Sequence, residues 1–546
     1  MSTLFDGIGG EILSLLRGYV AAQSCTGTPE ENSGADYFFH VLRDKPYFAA
    51  HPEHLIRSSI PDDPLGRAVC CALFRGASPD TVVMIHHYDV TGTEDYGRFA
   101  SLAFQPDKLM QALRAPDVVL EPEAAADLQG GFLFGHGACD MKGGGSIQLA
   151  LLSRLSEHAD FPGTLIVLGV PDEENLSAGM RAAVPLLVRL QERYGLRYQL
   201  LINSEPHQRR SPAVGVFSVG SAGKLLPFVY ARGRMSHAGK AAEGLNPLAV
   251  ISRIVAATEG LPFTADGAPA PTWLMLRDDK LHYDVSMPRS AFGCMSVLTF
   301  HTPAARVQES LRAVCEKAFA DYLAERSRAF GLPVSALPWQ PRVYSWTQLR
   351  REAEAAGGAE WAASLRTLLD ELQQEVRHGR LGFADAYRRL LEFTCNELPD
   401  VPMVVYGFLP PYYPAVTNAN FDALPERIAS LDRRLAAFAR ECFGQDYETE
   451  DFFTGLSDLS YGSASAEHRH SQAAQPAFID EMPLYGESYS LPFEEMRAIA
   501  MPCINIGPWG KDFHKLTERV CLSDLTERTP KLLYQAIRIV LGAPEY

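Results

Sequence analysis

The stretch TLIVLGVPDEEN, Thr164 to Asn175, decides how this chain is read. Its first seven residues form an apolar run of strand length, closed by Pro171. Such a run is expected to be a strand buried on both faces. It ends in Asp172, Glu173 and Glu174. Carboxylates beside a buried strand are costly unless something neutralises them. The ordinary reading is an acidic helix N-terminus, where the dipole favours negative charge. The alternative is a cation, and the neighbouring segments discriminate between the two.

Strand-like and helix-like segments alternate over the first 220 or so residues. AVCCALFRG (68–76) and TVVMIHHYDV (81–90) read as neighbouring strands. GFLFGHGACD (131–140) reads as a short strand entering a loop, and YQLLINSEP (198–206) as another strand. MKGGGSIQLALLSRLSEH (141–158) opens a helix behind glycines that, by themselves, suggest a flexible turn. In TGTPEEN, Thr28 is placed as an N-cap, Pro29 at the first helical position and Glu31 as the closing residue of a capping box. The pattern predicts an α/β fold: a mixed, largely parallel sheet.

Near residue 223 the character changes to two strand–helix pairs, KLLPFVYARGRMSH with LNPLAVISRIVAATEG, then SAFGCMSVLTFHTP with the helix that follows. This predicts an inserted α+β domain. A charged helical stretch and the strand VPMVVYGFLPPYYPAV follow. The expected division is 1–222 and 431–546 for one domain, 223–345 for the insertion, and 346–430 for an extra helical segment.

Composition narrows the function. A net charge of −16 over 546 residues argues against nucleic acid and anionic membranes as partners. The apolar runs are too short to span a bilayer, and the first residues lack a basic signal-peptide region. The ten cysteines show no disulfide spacing, which points to a reducing, cytoplasmic setting.

In open parallel sheets, ligands bind beyond the carboxyl ends of the strands. Those ends carry His87 and Asp89, Asp140, Asp172 to Glu174, Glu205 and, after CINIGPWGKDFH, His514. Each alone has a structural explanation; together they form one set of imidazoles and carboxylates. Zinc suits such donors, as do cobalt and manganese. The set is too large for one tetrahedral ion and fits two divalent ions sharing a carboxylate.

HHYDV, GACDMKGGG, PDEEN, SEP, GRMSHAG with GLNP, and GPWGKDFH, in this order, resemble the M20 metallopeptidase family, and the length resembles its arginine-utilisation (RocB-type) branch. The resemblance covers about 10–260 and 430–546. It implies a zinc-peptidase-like catalytic domain with a lid that also dimerises. It implies that His87, Asp140 and Glu205 hold one ion, and Asp140, Glu174 and His514 the other. Asp89 would orient the His87 ring, and Glu173 would be the general base. Asp172 is then a turn or cap residue, and His86, facing the other way along the strand, a structural one. His237 and Asn246 would reach the substrate from the lid. Ser457 and Asp458 of GLSDLSYG match a late family turn and are read as structural. The lid run SVLTFHTP lacks the arginine often found in relatives. The implied activity is hydrolysis of an amide in a peptide or N-acyl amino acid by a homodimer. A binuclear phosphoesterase and a non-catalytic binding protein are the competing readings; the first lacks its GNH-type motif, and the presence of Glu173 weakens the second.

Overall fold

The computed structural model describes residues 3–209, 211–331, 333–334, 337, 339–465 and 475–543. The chain forms two compact units. The first comprises Met1–Ser221, Val416–Arg469 and Pro492–Tyr546; the second comprises Ala222–Ala415 and His470–Leu491. The segment expected as a separate helical block is therefore divided between units. Residues 346–415 belong to the second and 416–430 to the first.

The first unit is built on an eight-stranded sheet. In spatial order its strands are Leu55–Ser59, Ala68–Arg75, Thr164–Val170, Asp80–His87, Arg197–Asn203, Cys503–Asn505, Val214–Ser218 and Asp446–Glu450. The four from Thr164–Val170 to Cys503–Asn505 are mutually parallel, and antiparallel pairs flank them. All seven residues of Thr164–Val170 are buried, as a strand covered on both faces requires.

That strand also corrects one expectation. Ala68–Arg75 and Asp80–His87 are not neighbours; Thr164–Val170 lies between them, antiparallel to the first and parallel to the second. The short connection between them is satisfied by the segment entering the intervening strand, since Gly76 N donates to Gly163 O and Ala77 N to Phe161 O.

The glycines of MKGGG form no flexible turn. They lie in the first turn of the helix Lys142–Leu155, whose residues are buried almost throughout. A Cβ on Gly144 would stand 2.1 Å from Ser204 O, and one on Gly145 would stand 2.6 Å from the His86 ring. Absence of side chains lets this helix lie against the ends of the central strands.

Pro29 does open a short 3-10 helix, Pro29–Glu31, but no capping box forms. Thr28 Oγ1 donates to Cys25 O, and the Glu31 carboxylate turns inward to accept from Gly27 N and pair with Arg67.

The second unit has a five-stranded sheet in the order Thr272–Asp278, Ser290–Thr299, Gly223–Arg232, Met403–Tyr413, Val343–Ser345. The helices Trp346–Arg377 and Phe383–Asn396 pack on the face presented by Leu226, Phe228 and Tyr230. The extra helical stretch is thus a layer on this sheet, and the strand after it pairs along Gly223–Arg232. All ten cysteines are free thiols. Among the described residues, no helix is long and apolar enough to cross a membrane.

Candidate active site

Three central strands deliver site residues as the parallel-sheet rule predicts. Asp80–His87 ends in His87 itself, Thr164–Val170 runs into Asp172 to Glu174, and Arg197–Asn203 runs into Glu205. Asp140 and His514 arrive by another route. A separate three-stranded antiparallel sheet joins Phe132–Phe134 to Arg519–Cys521 and then to Gly510–Lys511. His514 lies in the connection between the last two strands, and Asp140 in the loop after Phe132–Phe134. Pairing of Phe134 with Arg519 brings these two distant segments together.

Asp140 divides its oxygens between two histidines. Oδ1 lies 3.1 Å from His87 Nε2, and Oδ2 lies 3.2 Å from His514 Nε2. His87 Nε2 is also 3.4 Å from Glu205 Oε1, and His514 Nε2 is 3.0 Å from Glu174 Oε1. The cluster therefore has two lobes sharing one aspartate. His87, Asp140 and Glu174 each offer a ligand atom within 4.8 Å of the others.

The last contact is informative. Glu174 Oε1 and His514 Nε2 are both buried and have no hydrogen-bond partner, although they are 3.0 Å apart. A buried carboxylate oxygen and imidazole nitrogen this close can share a divalent cation in place of the proton that would otherwise pair them. The donor set of imidazole and carboxylate is the one divalent zinc-like ions take.

Charge balance agrees. Burial works against a charged His87, yet Glu205 and Asp140 raise its pKa well above the usual imidazole value. His514 behaves alike: burial lowers it, but Asp140 and Glu174 prevail and push it up to about 11. Burial tends to raise Asp140, but the two histidines hold it below the usual carboxylate range. Glu205 is pushed up to about 8 by burial and then by the charge of Asp140. Burial first, and the neighbouring carboxylates Asp458, Glu205 and Glu174 next, raise Glu173 well above its ordinary value, although His87 opposes them. The cluster carries more carboxylates than adjacent cations can neutralise.

The supports of the site differ in part from expectation. His87 Nδ1 is 3.0 Å from the backbone oxygen of Asp89, whereas the Asp89 carboxylate is 3.7 Å away. The ring is thus oriented by the Asp89 carbonyl. The carboxylate instead accepts from Glu173 N and Glu174 N, both at 3.2 Å, and holds the turn that carries them. His86 is structural, as alternation predicts: it lies 2.9 Å from Gln148 Oε1 and 3.1 Å from the Tyr19 hydroxyl.

Asp172 has positive φ and caps the next helix by accepting from Ala178 N at 3.0 Å. Its other oxygen meets Arg67, which also binds Asp63 and Glu31, all nearly buried. Three residues escaped the sequence reading or were undervalued by it. Arg67 stands in RAVCC with nothing to mark it. Glu518 is fully buried and accepts from Asp140 N and Cys139 N, so it holds the Asp140 loop. Asp458 is buried, its Oδ1 has no hydrogen-bond partner, and burial first, with Asp89 adding, pushes it up to about 7 against the pull of His87. The GLSD turn was its visible signal.

His237 and Asn246 belong to the second unit, whereas the cluster lies within the first. His237 is exposed and accepts from Gly239 N at 3.1 Å. Asn246 caps the helix Pro247–Thr258 through Leu248 N.

Fold and cluster together define a hydrolase of the peptidase and amidohydrolase class. The chain belongs to peptidase family M20/M25/M40, whose model matches residues 116–537. It is 31% identical to YqjN of Bacillus subtilis (strain 168), over 98% of this chain and 97% of that protein. It is 27% identical to protein RocB of the same organism, over 97% and 96% of the two chains. The solved structure of Bacillus subtilis YxeP, described as a dinuclear metal binding peptidase from the M20 family, superposes with a TM-score of 0.51. That match covers 99% of this chain and 100% of the other at 12% identity, a likeness of fold.

Proposed function

We propose that the chain is a two-metal amidohydrolase acting on a short peptide or N-acyl amino acid. The observation that carries this reading is the bridging posture of Asp140, one oxygen toward His87 and the other toward His514. His87, Asp140 and Glu205 would hold one divalent ion, and Asp140, Glu174 and His514 the other, with zinc, cobalt or manganese as the metal. Such ions supply an activated water and polarise the scissile carbonyl. Glu173 would accept the water proton and pass it to the leaving nitrogen. Asp89 keeps Glu173 and Glu174 in register by binding both their backbone N–H groups.

The second unit would act as lid, with His237 and Asn246 facing substrate. A homodimer through this lid is supported by its edge. Thr272–Asp278 ends the sheet and exposes Leu274 and Leu276, and the following loop exposes Leu281, Tyr283 and Val285. An apolar, unpaired edge is a template for another strand. The arginine-utilisation branch that the chain resembles in length would place the substrate near arginine or amino-acid catabolism.

Metal content and hydrolysis of an acyl-amino-acid and dipeptide panel test the reading. Two equivalents of metal and amide cleavage are expected. Glu174→Ala should lose metal, while Glu173→Ala should keep both ions and lose about 10²–10⁴-fold in turnover. Equal metal loss in both variants would refute the assignment.

A further inference from the structure

A second group of donors lies apart in sequence from the catalytic cluster. The segment HPEH, 51–54, follows the short helix Pro46–Ala50 and leads into the edge strand Leu55–Ser59. Within it, His51, Glu53 and His54 each offer one ligand atom, and these atoms lie within 4.8 Å of one another. Glu53 Oε1 is 3.6 Å from His51 Nδ1 and 3.7 Å from His54 Nε2. A tetrahedral zinc site with bonds of about 2.0–2.1 Å has ligand–ligand edges of about 3.4 Å. The two spacings are therefore within a few tenths of an ångström of those of a formed site.

The surroundings supply what a ligating histidine needs. His54 is nearly buried, and its Nδ1 is 2.9 Å from the Tyr47 hydroxyl oxygen. That oxygen already accepts from Arg75 N at 2.9 Å and has a further lone pair. When Nε2 binds a cation, Nδ1–H can donate to Tyr47, the partner arrangement that fixes the ring of a metal-bound histidine. The His51 and His54 rings are stacked, 5.3 Å apart at 22°, so rotation of the exposed His51 ring is the rearrangement that would bring both lone pairs onto one cation. The nearby guanidinium groups of Arg75 and Arg193 are drawn over the Tyr194 ring, at 4.9 and 5.0 Å. Among the described residues, the ion pairs of Glu53 are with these two histidines.

We propose that His51, Glu53 and His54 form a further metal site, for one borderline divalent cation of the zinc class, with Tyr47 as its supporting partner. Two imidazoles and one carboxylate leave coordination positions to water, because His51 and Glu53 are half exposed. The site is peripheral and exchangeable. It does not depend on the assignment of the catalytic cluster.

Zinc equilibrium dialysis of untagged, full-length protein tests it. Wild type is compared with the double variant His51→Ala/Glu53→Gln, both at exposed positions where folding should be unaffected. At saturating zinc, wild type should bind one equivalent more than the variant, and amide hydrolysis at low zinc should be equal. Tyr47→Phe should retain that equivalent and weaken it about 10–100-fold. Equal zinc content in wild type and the folded double variant would overturn the proposal. Loss of the equivalent only together with loss of the far-UV circular dichroism would overturn it as well.

Discussion

Gly144→Ala should damage the active site without touching any residue assigned to chemistry. The added methyl would stand 2.1 Å from Ser204 O and 2.7 Å from Ser204 Cβ. That is roughly 1 Å short of a normal van der Waals contact. The obstacle is backbone, so no side-chain rotation relieves it. Either the helix Lys142–Leu155 withdraws or the Ser204–Glu205 backbone does. The first movement displaces the Asp140 loop at the start of that helix, and the second displaces Glu205. Overpacking of this kind costs about 1–3 kcal/mol. A misplacement of about 1 Å in a catalytic constellation costs on the order of 10²-fold in rate. Gly10→Ala is the internal control. Gly10 lies exposed in the helix Ile8–Ala21 with nothing within 4 Å of an added Cβ. There the same substitution should stabilise by about 0.5–1 kcal/mol. Thermal unfolding, zinc content and panel hydrolysis are measured on both variants. A Gly144→Ala protein with wild-type unfolding temperature, metal content and turnover would refute the close-packing argument.

Arg67→Met should destabilise the first unit by about 3–5 kcal/mol, because Glu31, Asp63 and Asp172 would be left buried without their cation; chemical denaturation measures it, and a loss under 1 kcal/mol would show that the network is not needed. His207 accepts from Arg209 at Nε2 and lies 2.9 Å from Gly507 O at Nδ1, an arrangement for the neutral ring. Burial pulls its pKa down to about 4, so its contribution to stability is complete above the unfolded value near 6.5 and is lost as pH falls from there toward 4. The loss should reach about 3 kcal/mol at pH 4, and His207→Gln should flatten the stability–pH curve in that window. The double variant Leu274→Lys/Leu276→Lys should be monomeric in sedimentation velocity, and an unchanged dimer would exclude this edge as the interface.

Much of the first unit was legible because its central strands announce themselves. TLIVLGV, TVVMIHH and YQLLIN are each largely apolar, strand-sized and followed two residues on by an acidic residue. Parallel strands end on the same side, so candidate ligands distant in sequence are expected at one crevice. Position is not legible in the sequence where it depends on pairing and not on pattern. GFLF and the turns around His514 look like further strand ends of the same sheet. They form a small sheet of their own, because the contact that unites them is between Phe134 and Arg519. No local periodicity encodes a pairing at that separation. The glycine triplet misled for a related reason. Glycine reports a need for either freedom or space, and only the position of Ser204 shows that the need here is space.

Asp89 carries the same argument to the chemistry. The family resemblance implied a carboxylate that orients the His87 imidazole. The strand geometry instead hands that task to the Asp89 carbonyl, at 3.0 Å from Nδ1. The carboxylate is thereby released to bind the backbone of Glu173 and Glu174. One residue thus links two strands: its main chain sets the ring of His87, and its side chain sets the turn bearing the acids. The sequence motif HxD and the motif DEE are therefore not independent features. Asp89→Asn can preserve the carbonyl contact while replacing one acceptor oxygen by an amide that opposes a backbone N–H. The His87 ring would keep its orientation, and the Glu173–Glu174 turn would bear the damage.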